Sequence, residues 1–202
     1  MGTILCLHGF GPGEQEKIRR VAPGLPVVFG RSAEIGTDVY RDAEVVCGWN
    51  DKVAELCLRE GSKLRWVQTW SAGIDSLPLD KLRERGVLLT DAAGVHSVAV
   101  AETALAHMLG LTRGIHTAVR SQTAGEWHRP AGLSELYGRT ALIVGAGAIG
   151  TRIAELARAF GMRTIGIRRT PAPQPCFDRV DGMDKLDEAI AESDYIVNVL
   201  PD

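Results

Sequence analysis

The chain has 202 residues, of which 45% are hydrophobic and 24% charged, with a formal net charge of -2. Those proportions exclude a disordered or fibrous chain, and the near-neutral balance argues against a surface built for nucleic acid. No apolar run reaches the about 18 residues needed to span a bilayer, since even 98–111 carries Glu102 and His107.

The amino-terminal MGTILCLHGFG lacks the basic head and cleavage site of a secretory signal and reads as a first strand, which implies a cytoplasmic protein. Further short apolar strands are expected at 27–29, 45–47, 64–68 and 87–89, after the first at 4–7. Helical periodicity lies between them at 14–21, 51–60 and 79–85, with Asp51 suited to an N-cap and Gly61 to a C-cap. This alternation predicts βα units on a parallel sheet, so residues 1–95 are expected to form a flavodoxin-like α/β lobe.

HGFG at 8–11 has the look of an esterase oxyanion loop. The matching nucleophile elbow is missing, because Thr69 stands where GxSxG needs its first glycine, so a hydrolase is disfavoured. The same segment, LRWVQTWSAGID (64–75), runs from a strand into Ser71, Ala72 and Gly73. Two readings stay open there: exposed backbone amides that hold an anion, or a tight turn with Ser71 capping a helix.

From His96 to about Arg120 the pattern is one long, mostly apolar helix, expected to be buried and to bridge two lobes. An irregular crossing follows at 122–138, punctuated by Gly125, Pro130 and Gly132. Strands at 140–144, 164–167 and 195–200 and helices at 149–160 and 185–191 then spell βαβαβ, the first half of a Rossmann nucleotide-binding lobe. Only 171–175, rich in proline, resembles low complexity.

The first turn of that half reads GAGAIG. Gly145 permits the tight turn, Gly147 lets backbone approach a pyrophosphate, and Gly150 allows helix to pack closely on strand, while the following helix offers free N–H groups to phosphate. About twenty residues on, where a carboxylate usually meets the adenosine ribose, stand Arg168, Arg169 and Thr170, with no acidic residue until Asp178. Guanidinium groups there pair with a 2′-phosphate, which favours NADP over NAD. Cys6, Cys47, Cys57 and Cys176 have neither CxxC spacing nor neighbouring histidine pairs, so reduced thiols and no metal site are expected. His107 and His116 belong with the long helix, and His96 and His128 fall at loop or cap positions with no acid–base partner that spacing assigns.

Taken together, LRWVQTWSAGID, LLTDAAGVHSVAVAE, Trp127, GRTALIVGAGAIG with AFGMRTIGIRR, and DYIVNVLP resemble the D-isomer-specific 2-hydroxyacid dehydrogenases, most of all their glyoxylate and hydroxypyruvate reductase branch. The resemblance runs from Leu64 to Pro201. It implies a substrate lobe and a nucleotide lobe flanking a cleft, with hydride passing between C4 of a nicotinamide and C2 of a small 2-oxo or 2-hydroxy acid. By matching positions, Gly145, Gly147, Ala148, Ile149 and Gly150 bind pyrophosphate. Arg168, Arg169 and Thr170 meet the ribose, Leu200 and Pro201 line the cofactor, and the amides of Ala72 and Gly73 hold the substrate carboxylate.

The family's catalytic arginine, glutamate and histidine lie past the LP segment and have no counterpart up to Asp202, so no catalytic residue is assigned. Residues 96–202 are expected to be a linking helix and a truncated first half of the NAD(P) lobe. The chain is then an amino-terminal portion with poor turnover, and its full-length form a homodimer through the long helix. The rival reading is a non-catalytic dinucleotide-binding or dimerisation module.

Overall fold

The computed structural model describes residues 2–129 and 131–200. The chain divides into two compact units, 1–93 and 94–202. Each contains its own parallel sheet.

In the first unit, β1 (Thr3–Cys6), β2 (Val27–Phe29), β3 (Ala43–Cys47), β4 (Trp66–Gln68) and β5 (Leu88–Thr90) lie in the order β2-β1-β3-β4-β5, all parallel. That is the flavodoxin order, in which the reversal of winding next to β1 puts ligand-binding loops at the carboxyl ends of the strands. Helices α1 (Pro12–Val21), α2 (Thr37–Asp42) and α3 (Leu79–Glu84) make crossovers. One face of the sheet carries Leu5, Val46 and Val67, which are fully buried with Tyr40, Val53 and Leu82. Burial of such side chains stabilises by about 1.5–3 kcal/mol each.

Two local expectations need correction. The helix expected over 51–60 is mostly a π-helical stretch, Val53–Cys57, and its cap is Asn50, whose Oδ1 accepts the Val53 N–H at 3.0 Å, instead of Asp51. Helix α2 was not expected, because TDVYRD is too short and polar for helical periodicity to show; Tyr40, fully buried, anchors it.

In the second unit, β6 (Thr140–Val144), β7 (Arg163–Ile167), β8 (Arg179–Asp181) and β9 (Tyr195–Asn198) lie in the order β8-β7-β6-β9. This is the 3-2-1-4 arrangement of a Rossmann sheet. Strand β6 is buried along its whole length, as a central parallel strand covered on both faces must be. Helix α6 (Ala148–Ala159) connects β6 to β7, and α7 (Leu186–Ala191) leads to β9. β8 is an addition to the expected βαβαβ: a three-residue edge strand whose RVD sequence has no apolar signature.

The long helix expected from His96 is two helices, α4 (Ser97–Thr112) and α5 (Ile115–Ala124). Gly114 breaks them with φ +64°, a left-handed conformation that glycine adopts without a Cβ clash. α4 packs Ala101, Leu105 and Met108 against Ile153, Ala154 and Ala157 of α6. The expectation that the whole helix is buried fails on its other side, where Val98, Leu111, Ile115 and Val119 are exposed. Among the described residues no helix is long and apolar enough to cross a membrane.

Candidate functional site

The glycine turn is built as its spacing requires. Gly145 has φ +110°, and its N–H and that of Ala146 both bond the Ile167 carbonyl, at 2.9 and 3.0 Å, which ties the turn to the end of β7. A Cβ on Gly145 would lie 3.1 Å from the Val199 carbonyl group, so the turn also abuts the end of β9. Gly150, in the first turn of α6, is buried. A Cβ there would overlap the Gly145 carbonyl oxygen and lie 3.0 Å from Ile143 Cγ2. Gly147 is the opposite case, extended and exposed, with nothing among the described residues within 4 Å of where its Cβ would be.

This is the shape a pyrophosphate needs: close contact below the turn and open approach above it. The N–H groups of Ala148, Ile149 and Gly150 belong to the first turn of α6 and have no intrahelical acceptor. Among the described residues no side chain accepts from them. Together with the helix dipole they favour an anion, and the first turn carries no acidic residue to oppose one.

Arg168, Arg169 and Thr170 leave the end of β7 beside that turn. Arg168 is half-buried and donates its backbone N–H to Asp181 at 3.1 Å, while Arg169 and Thr170 are exposed. Among the described residues neither guanidinium has a carboxylate partner. The nearby carboxylate of Asp181 is engaged by Arg179 at 2.6 Å, leaving the arginine pair as the unspent charge at this edge. Leu200 follows β9 and is exposed, its N–H bonded to Asn198 Oδ1 at 3.1 Å; Pro201 lies outside the described residues.

One contributor was not legible. Gln174, in the proline-rich loop, donates from Nε2 to the Ala146 carbonyl at 3.1 Å and accepts from Thr151 Oγ1 at 3.1 Å. It therefore fastens the loop that follows the arginines to both the glycine turn and α6. Phe177 closes the same loop onto Gly166, where any Cβ would lie 2.8 Å from its ring.

In the first unit, Ala72 and Gly73 sit in the turn after β4 at the carboxyl edge of that sheet, both exposed. Thr69 Oγ1 donates to the Ser71 carbonyl and Ser71 Oγ to the Gly73 carbonyl, each at 2.8 Å, and the Ser71 carbonyl also accepts from Ala92 N–H at 3.2 Å. The turn's carbonyls are thereby held, whereas among the described residues the Ala72 and Gly73 N–H groups find no acceptor. Of the two readings left open, the helix cap is excluded, because the next helix begins only at Leu79.

No histidine forms an ion pair with a carboxylate among the described residues. His96 precedes α4 without a side-chain cap bond, His116 Nδ1 lies 3.1 Å from the Gly110 carbonyl oxygen, and His8 joins an aromatic cluster with Phe10 and Trp70. Among the described residues no group of three or more His, Cys, Asp and Glu could hold a metal ion.

Residues 105–202 match the family model for the D-isomer specific 2-hydroxyacid dehydrogenase, NAD binding domain, so this stretch is a nicotinamide-dinucleotide domain. The chain is 30% identical over 189 residues to a D-3-phosphoglycerate dehydrogenase of Methanocaldococcus jannaschii, covering 92% of this chain and 36% of that protein. It is 29% identical over 184 residues to a hydroxypyruvate reductase of Thermotoga maritima, covering 91% of this chain and 54% of that protein. With a glyoxylate reductase of Thermococcus onnurineus it shares 29% identity over 180 residues, 84% of this chain and 54% of the relative. The chain thus spans about half the length of these two reductases and about a third of the first relative. Among solved structures, a D-isomer specific 2-hydroxyacid dehydrogenase family protein from Aeromonas salmonicida superposes with a TM-score of 0.86 at 28% identity, over 100% of this chain and 64% of that one. The two sheet orders, the open glycine turn and these matches agree: the chain belongs to the D-isomer specific 2-hydroxyacid dehydrogenase family.

Proposed function

We propose that this chain supplies the cofactor cradle and the carboxylate-binding turn of an NADP-preferring 2-oxoacid reductase, equivalently a 2-hydroxyacid dehydrogenase, of glyoxylate or hydroxypyruvate type. The observation that carries the reading is one sheet edge with three open N–H groups at the start of α6 and two guanidinium groups that have no carboxylate partner among the described residues. The amides of 148–150 neutralise a pyrophosphate, and Gly147 leaves it room. Arg168 and Arg169 take the 2′-phosphate, where charged hydrogen bonds are worth about 1.5–3 kcal/mol each. Leu200 and Pro201 flank the cofactor at the end of β9.

When bound, the reduced nicotinamide supplies the hydride for C2 of the oxo acid. The Ala72 and Gly73 amides hold the substrate carboxylate as an anion in a concave turn and so orient C2. We assign no proton-transfer residue within the chain. Acid–base assistance typically contributes about 10² to 10⁴ in rate, so binding is the property that tests this reading best.

A homodimer through α4 and α5 accompanies it, supported by the exposed Val98, Leu111, Ile115 and Val119, and sedimentation velocity checks that assembly. A cytoplasmic location is in keeping with four free cysteines.

The test is calorimetric titration of the folded chain with NADPH and NADH. The reading expects NADPH to bind at least about tenfold tighter, a difference of about 1.4 kcal/mol. Equal affinities would remove the NADP preference, and binding of neither would remove the cradle itself.

A further inference from the structure

The carboxyl ends of the first sheet form one in-register row, Phe29, Cys6, Cys47, Gln68 and Thr90, across all five strands. Cys6 and Cys47 are therefore direct neighbours on adjacent parallel strands, and residues in register point to the same face. Neighbouring strands lie about 4.8 Å apart, within the Cα separations of about 4.4–6.8 Å that disulfides span.

The surroundings leave the pair to itself. Gln68 gives its amide to the Thr69 and Asp91 carbonyls at 2.9 and 3.0 Å, and its Oε1 accepts from Thr90 Oγ1 at 2.7 Å, so it makes no bond to Cys47. Cys6 is fully buried, whereas Cys47 is partly exposed. The Cys6 thiol next to Cys47 holds the Cys47 thiol below its ordinary value, and the same neighbour together with burial pushes Cys6 up. One sulfur is thus the accessible nucleophile and the other a protonated neighbour. Cys57 offers the contrast: buried, its Sγ donating to the Tyr40 carbonyl at 3.2 Å, and pushed by desolvation up to about 12.

We propose that Cys47 and Cys6 form a peroxide-driven, reversible cross-strand disulfide. The Cys47 thiolate attacks the O–O bond of hydrogen peroxide, giving Cys47 sulfenic acid and hydroxide. The Cys6 sulfur then attacks the sulfenic sulfur, its proton leaving with the hydroxyl as water, so that two thiols and one peroxide become one disulfide and two waters. Strands held by their ladder give the bridge a strained geometry, and strained disulfides are the readily reduced ones. The site adjoins the Ala72–Gly73 turn, since Cys47 precedes Gly48, whose Cβ position lies 2.7 Å from Trp70 Nε1.

The experiment treats the native 202-residue chain with equimolar hydrogen peroxide, alkylates free thiols, and maps peptides without reduction. The expected product is one cross-linked peptide pair containing Cys6 and Cys47, lighter by two hydrogen atoms and restored to two thiols by dithiothreitol. In Cys6→Ser the expected product is Cys47 sulfenic or sulfinic acid with no cross-link. The proposal is overturned if the natural chain gives Cys47 sulfinic acid while Cys6 stays alkylatable, if Cys47 pairs with Cys57 or Cys176, or if both thiols survive unreacted.

Discussion

Gly147→Ala and Gly150→Ala should separate cofactor binding from folding. At Gly150 a methyl group overlaps the Gly145 carbonyl oxygen and crowds Ile143 Cγ2 at 3.0 Å, and the first of these is backbone that no rotamer change relieves. Overpacking of this kind costs about 1–3 kcal/mol, and a backbone obstacle places it near the upper end. Alanine's better helix propensity returns about 1 kcal/mol, leaving a net loss of about 2 kcal/mol. For a unit of about 100 residues that lowers the melting temperature by roughly 8–16 °C.

At Gly147 the new methyl meets nothing within 4 Å among the described residues. The poorer cap costs about 0.5–1 kcal/mol, and the stiffer unfolded chain returns about 0.4–1 kcal/mol, so stability stays within about 0.5 kcal/mol of the natural chain. That methyl nevertheless occupies the pyrophosphate's approach, and NADPH affinity should fall at least about tenfold, or about 1.4 kcal/mol. Calorimetric melting and NADPH titration of both variants read the two effects separately. Unchanged NADPH affinity in Gly147→Ala would refute the cradle, and full stability in Gly150→Ala would refute the packing argument.

Replacing both Arg168 and Arg169 by alanine should weaken NADPH by about 10-fold or more, the loss of one or two charged hydrogen bonds, and leave NADH binding unchanged in the same titration. Gln174→Leu keeps the volume but removes bonds to Ala146 and Thr151, so the ratio of NADPH to NADH affinity should fall as the loop after the arginines comes loose; an unchanged ratio would mean that Gln174 only fills space. Asp178 accepts from the buried Thr164 N–H at 2.8 Å, and this bond holds its carboxyl below the usual value. A depressed folded pKa gives stability that is present above the unfolded value of about 3.9 and is lost as pH falls through the folded one. Acid unfolding followed by circular dichroism should therefore show a shallower loss below about pH 4 in Asp178→Asn than in the natural chain.

The glycine turn was the most legible part because its causes are local. GAGAIG must turn, open and pack at fixed spacing, and a five-residue apolar run before it can only be a covered strand. The same locality explains what stayed hidden. Gln174 contributes through two bonds to residues 28 and 23 positions earlier, which no pattern around Pro171 to Pro175 reveals. β8 pairs three residues at an edge and carries no apolar alternation. Helix-compatible sequence on both sides of Gly114 concealed the break there, since helical periodicity does not register one left-handed glycine. Composition likewise suggested burial for the whole of that helix, whereas only one side meets α6.

The most direct test is a crystal structure of this chain with NADPH. The account predicts pyrophosphate oxygens against the N–H groups of Ala148, Ile149 and Gly150, with the 2′-phosphate between the Arg168 and Arg169 guanidinium groups. A dinucleotide bound away from the Gly145–Gly150 turn, in a chain whose second sheet keeps its β8-β7-β6-β9 order, would contradict it.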